Sequence, residues 1–214
     1  MKKYIILSIL FLLPISVYLF FATGVNNFVK LPILTEDVLE LNAFVDINGD
    51  VVQLENKITV ISFFGNDIES KKANAFNLAH KIYKKNYQFD EFQFVTLITS
   101  EQIQQAKGLK SELEAIENPS NWHFAVGGEE AIEEFFYSMG TNGALDESFG
   151  TDKVFVVDKQ RNLRGRTDDE DVGKLYGYDA SNYAEINNKM SDDVKVVLAE
   201  YRLALKKYAS DRDI

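Results

Sequence analysis

The chain has 214 residues, 46% of them hydrophobic and 13% aromatic, which is enough for one domain with a substantial core once any targeting segment is set aside. Its formal net charge of -10 argues against a nucleic-acid partner, because that affinity rests on clustered Lys and Arg. It contains no cysteine, which excludes disulfides, thiolate metal sites, thiol exchange and a lipid-modified cysteine anchor. Lys2 and Lys3 precede an uncharged, mostly apolar stretch from Tyr4 to Ala22, broken by Ser8, Pro14 and Ser16. At ~1.5 Å per residue this stretch spans roughly 28 Å, close to the ~30 Å hydrocarbon core of a bilayer. It reads as a retained transmembrane anchor over residues 1–23. A cleaved signal peptide ending near Ala22-Thr23-Gly24 is the alternative. With the two lysines ahead of the span, the positive-inside rule keeps the N-terminus cytoplasmic and sends the remainder across the membrane.

Residues 24–42, with Pro32, read as a tether, and the domain proper is expected over 43–214. Ala43–Asp46 and Val51–Leu54 flank Asn48-Gly49 and predict a hairpin. Ile58–Phe64 is a nearly continuous β-branched and aromatic run, as expected of a central strand buried on both faces. Ala75, Phe76, Ala79, Ile82 and Tyr83 recur at helical spacing within a helix from about Glu69 to Tyr83. Phe92–Ile98 is a second buried strand. Thr99 or Ser100 can cap the next helix, whose stripe is Ile103, Ala106, Leu113 and Ile116. Trp122–Val126 reads as a short strand and Glu129–Met139 as a helix with acids in its first turn. Lys153–Asp158 and Leu163–Arg166 form a hairpin, Asp168–Met190 a polar loop-rich insertion, and a final helix runs from Ser191 to about Tyr208. Its stripe is Val194, Val197, Leu198, Tyr201 and Leu205. This order predicts an α/β fold with a mixed sheet flanked by helices.

That order, with strands ahead of the first β-α unit, resembles the thioredoxin superfamily, and in detail its SCO/SenC branch of membrane-anchored copper and thiol proteins. The residues carrying the resemblance are Thr23–Phe28 after the apolar span, Ile61-Ser62-Phe63-Phe64-Gly65, Asn77-Leu78, Asn121–Phe124 with Gly127, and Val154–Lys159 with Leu163-Arg164-Gly165. The similarity extends to about residue 207. The family carries Cys-Pro-x-x-x-Cys-Pro after the first central strand and a histidine before the strand ending in Val-Asp. Those positions fall here at Asp67, Lys71 and Gly150. An Asp and a Lys cannot replace two thiolates toward soft Cu(I), nor supply a thiolate nucleophile. The family's Asp-Pro pattern after the second strand is replaced by Thr99-Ser100-Glu101-Gln102. The resemblance implies the fold without the chemistry.

Other groups have plainer roles available. Asp67 and Glu69 suit a hard cation or a docking contact, and equally suit helix capping. His80 and His123 are the two histidines and lie at no ligand spacing with one another. Glu129, Glu130, Glu133 and Glu134 form a solvated helical face, and Asp168–Asp171 lack the spacing and glycine of a calcium loop. Tyr176, Tyr178 and Tyr183 can form an aromatic contact if exposed. No phosphate loop, dinucleotide fingerprint or Ser-His-Asp motif is present.

The sequence thus predicts a thioredoxin-like domain behind one membrane span in a bacterial cell membrane, facing the periplasm or outside. It is expected to have no cofactor and no enzymatic activity, and to act as an accessory or binding module beside a protein partner in oxidase or copper-protein assembly. The competing reading is a metallochaperone or enzyme working through Asp67, Glu69 and His123.

Overall fold

A computed structural model describes residues 2–23 and 30–210. Helix α1 (Lys2–Thr23) contains Pro14 and is apolar all round. Then follow β1 (Ile33–Thr35), β2 (Val45–Asp46) and β3 (Ile58–Gly65). Helix α2 (Ile68–Leu78) runs on through a π turn at Ala79–Tyr83 into α3 (Lys84–Asn86). The chain continues with β4 (Phe92–Ile98), a 3-10 turn at Ser100–Gln102, α4 (Ile103–Leu113), β5 (Trp122–Val126), α5 (Glu129–Ser138), β6 (Thr151–Val157) and β7 (Leu163–Arg164). Strands β8 (Arg166–Asp169), β9 (Gly173–Leu175) and β10 (Tyr178–Asp179) precede α6 (Tyr183–Glu185), a π turn at Ile186–Met190 and α7 (Ser191–Ser210).

The main sheet has the order β1-β7-β6-β3-β4-β5-β2, with β10 also on β6. Strands β3, β4 and β5 are parallel, while β6 runs antiparallel to β3. All eight residues of β3 are buried. Strand alternation sends Val60 and Phe64 to one face, under α2, α4 and α7, and Ile61 and Phe63 to the other, under α5. Trp122, Phe94 and Tyr83 anchor the first layer, and the Phe63, Phe135, Phe136 and Phe155 rings anchor the second. The architecture is a thioredoxin-like mixed α/β sandwich, as the element order predicts.

Four local expectations differ from the structure. Residues 31–42, placed in the tether by sequence, pack as part of the domain: β1 pairs with β7, and Leu31, Val38 and Leu41 are buried. The 43–54 hairpin does not form. The turn at Asn48-Gly49 is real, with Gly49 at φ 89, but β2 pairs with β5 while Val52 and Leu54 pack into the second core layer without a ladder. The 168–190 insertion holds a two-stranded β8–β9 ribbon, a β10–β6 pairing and helical turns. The final helical stretch does not begin at Ser191, because the chain is already helical from Tyr183, capped by Asn182, whose side chain accepts from the Ala184 and Glu185 amides at 3.1 and 3.3 Å.

Candidate functional site

The loop after β3 is built around a close backbone crossing. Gly65 has φ +52, and a Cβ there would lie 1.9 Å from the carbonyl oxygen of Ser148. Only glycine supplies both the left-handed conformation and the space. The Asn66 amide donates to that same carbonyl at 2.7 Å, binding the 146–150 loop to the end of β3. Asn66 extends the crossing sideways. Its Nδ2 donates to Glu129 Oε1 at 2.9 Å, and its Oδ1 accepts from the Thr99 hydroxyl. Thr99 therefore serves this loop rather than capping the next helix.

Asp67 is the N-cap of α2, accepting from the Ser70 amide at 3.1 Å. The Ser70 amide and hydroxyl hold its carboxyl below the usual range. One turn on, Lys71 turns inward: its side chain is 10% exposed, and Nζ lies 3.2 Å from both Asp146 and Asp152. Asn74 donates to Asp152 at 2.8 Å. Asp146 in turn accepts from the Ser148 amide at 2.9 Å, the Ser148 hydroxyl at 2.6 Å and the Gly150 amide at 3.0 Å. Burial lowers the pKa of Lys71, but its bonds to Asp152 and Asp146 outweigh that and the ammonium is held above its usual range. A protonated, doubly paired lysine is neither a base nor a nucleophile; it is a fixed cation.

Lys71 and Gly150 meet directly, since a Cβ on Gly150 would stand 3.3 Å from Lys71 Cε. The absence of a side chain at 150 is what leaves room for the lysine stem. Asp67 sits one helical turn before Lys71. The three positions singled out by the sequence thus surround one loop crossing. Asp146, Asp152 and Asn74, which complete it, escape sequence reading because Asp146 lies in a loop, Asp152 at the polar start of β6, and Asn74 in a helix whose apolar spacing says nothing about polar partners. The Asp146-x-Ser148-x-Gly150 spacing, an Asx-turn signature, is the one available signal.

The remaining candidates are elsewhere. Glu69 stands exposed in the first turn of α2, and His80 is exposed on the π turn. His123 Nδ1 lies 3.5 Å from Asp46, beside Lys57 and Asp90 at the opposite end of the parallel strands from Asp67. Burial raises the Asp46 pKa, but bonds from His123 and the Asn48 amide outweigh it and hold the carboxyl low. Among the described residues, no three His, Asp or Glu side chains group as a metal site. Asp169 and Asp171 are paired with Lys189 at 2.8 and 2.7 Å. Tyr178 is buried, donating to Asp193 at 2.7 Å, and Tyr183 is exposed under Lys81.

No family model and no curated protein matches the sequence. Solved structures do. A proposed electron transfer protein from Aquifex aeolicus VF5 aligns at 16% identity and TM-score 0.53, covering 77% of this chain and 92% of its own. A proposed protein disulfide isomerase from Bacteroides thetaiotaomicron aligns at 11% identity and TM-score 0.54, covering 80% and 95%. The soluble domain of Sco1 from Bacillus subtilis is also similar, at 16% identity and TM-score 0.48, covering 76% and 92%. At these identities the first two show a shared fold and nothing more, and the third overlap is too loose to carry a conclusion.

Proposed function

We propose that this chain is a membrane-anchored, extracytoplasmic relative of the SCO/SenC proteins that works as a non-redox accessory or binding module. The observation that supports this most is Lys71. At the turn where the resembled family places its second cysteine, a buried ammonium is bridged by Asp146 and Asp152, so the position holds an internal cation. Helix α1 is long and apolar enough to cross a membrane, with a mean hydropathy of 2.1 over Lys2–Phe20. We assign residues 1–23 to the anchor, with the domain beyond it displayed outside the cytoplasm. Asp67, Lys71 and Gly150 are the altered family positions, and Asp146 and Asp152, each close to half exposed, leave a polar surface for a protein partner in oxidase or copper-protein assembly. The metallochaperone alternative is less well supported, since His123 and Asp67 lie at opposite ends of the strands.

The test uses the full chain in detergent. Titration with Cu(I) against a competing chelator should show no stoichiometric uptake, and an insulin-reduction assay should show no thiol turnover; either activity would overturn the reading. On spheroplasts, from which any outer barrier has been removed, added protease should cut the domain, whereas protection would reverse the topology.

A further inference from the structure

A second concavity lies across β6 from the Lys71 cluster. Asp152 projects toward α2 and Lys71, while Thr151, Lys153 and Phe155 point to the other face and line a cleft of about 160 Å³ between α5, β6 and β9. Phe136, Phe155 and Tyr176 give it an aromatic floor and wall, and Ala144 sits at its margin. The chain has 33 acidic and 23 basic residues, yet the lining holds two lysines, Lys153 and Lys174, and no carboxylate. The two ammoniums differ. Lys153 forms long ion pairs with Asp179 at 4.0 Å and Glu185 at 3.7 Å, whereas Lys174 lies over the Tyr176 ring at 4.7 Å with no carboxylate partner among the described residues.

We propose that this cleft binds a small organic anion, a carboxylate bearing one apolar ring or short branched chain. The volume matches the ligand: a cavity near 150 Å³ accepts one six-membered ring. The chemistry matches as well, because an apolar floor takes the hydrocarbon body while Lys174 at the rim meets the carboxylate without burying it. The site is independent of the proposed function, since it uses neither the anchor nor the Lys71 turn.

The full chain in lipid nanodiscs is titrated with 3-phenylpropionate, and its amide resonances are followed. Saturable shifts confined to the amides of Gly143, Lys153, Lys174 and Gly177 are expected. The neutral analogue 3-phenylpropanamide should bind about threefold more weakly, as should the acid to Lys174→Gln, given the strength of an exposed ion pair. Ala144→Phe should fill the cleft and abolish the shifts with the melting temperature retained. If that variant unfolds, Lys174→Gln, changed only at an exposed side chain, still decides. Absence of saturable shifts at these amides, equal affinity for acid and amide, or an unchanged affinity in Lys174→Gln would overturn the proposal.

Discussion

Removing the charge of Lys71 leaves Asp146 and Asp152 facing one another without a cation. Lys71→Met keeps the buried stem and deletes only the ammonium. It should cost about 1–2 kcal/mol at neutral pH, less than a fully buried pair, because the carboxylates are 44% and 49% exposed and can rehydrate. Burial raises the Asp146 pKa, yet Ser148, Gly150 and Lys71 outweigh it and hold the carboxyl below 3.8. A lowered carboxyl contributes stability above its unfolded pKa and loses it as pH falls through the folded one. The raised Lys71 contributes below its unfolded value of 10.5 and loses as pH rises past the folded one. The cluster is therefore at full strength between about pH 4 and 10. The deficit of Lys71→Met should shrink on acidification below that window, as read by melts followed through Trp122, the single tryptophan. A pH-independent deficit would remove charge pairing from the explanation. At Gly65, alanine meets both the positive φ and the Ser148 carbonyl, and should cost more than about 2–3 kcal/mol. Gly49→Ala, at φ +89 with nothing within 4 Å of its Cβ, bears the strain alone and should cost about 1 kcal/mol.

Arg164 joins elements that are far apart in sequence. From β7 its side chain donates to the Leu31 carbonyl at 2.8 Å, to Asp158 at 2.9 Å and to Glu200 of α7 at 2.6 Å. The arginine and Asp158 side chains are 3% and 1% exposed. Arg164→Met would leave the buried Asp158 carboxylate with the Gln160 and Asn162 donors but no cation, and unfolding in urea should show a loss of about 3–5 kcal/mol. Restoring a neutral partner with Asp158→Asn in the same chain should recover part of it. The same hairpin shows what sequence can display. Strands β3, β4, β5 and β6 were legible because each holds a short run of mostly apolar, buried residues, a local property of the chain. The pairing of β2 with β5 was not, because it depends on the buried Asp46 carboxylate accepting from the Phe124 amide, a contact made across 78 residues. Strands β8 to β10 were hidden for another reason: Arg166 with Asp193, and Lys189 with Asp169, hold that region by charge rather than by apolar alternation. At the candidate site the family resemblance located Asp67, Lys71 and Gly150, but the partners Asp146 and Asp152 are defined only once β6 lies beside β3.

At the scale of the whole chain, two parts bury apolar surface in different ways. The β-sandwich closes its own core on both faces of the sheet. Of helix α1, Ile6, Leu10, Phe11 and Leu13 are exposed, and none of its most apolar window is buried. Thirteen large apolar side chains of this helix are exposed, and leaving them in water would cost far more than a folded domain's net stability of about 5–15 kcal/mol, which fits the membrane anchor proposed above. Because no buried core residue among those described lies in α1, deleting residues 2–23 should move the protein from the membrane pellet to the soluble fraction and leave the melting temperature within a few degrees of the full chain. Deletion through residue 42 should behave differently. It removes β1 and the buried Leu31, Val38 and Leu41, opens the Leu31 carbonyl contact of Arg164, and should lower the melting temperature by roughly ten degrees or more. Equal melting of the two truncations would place the start of the folded unit after residue 42, and a pelleted 2–23 deletion would show that something besides α1 holds the chain to the membrane.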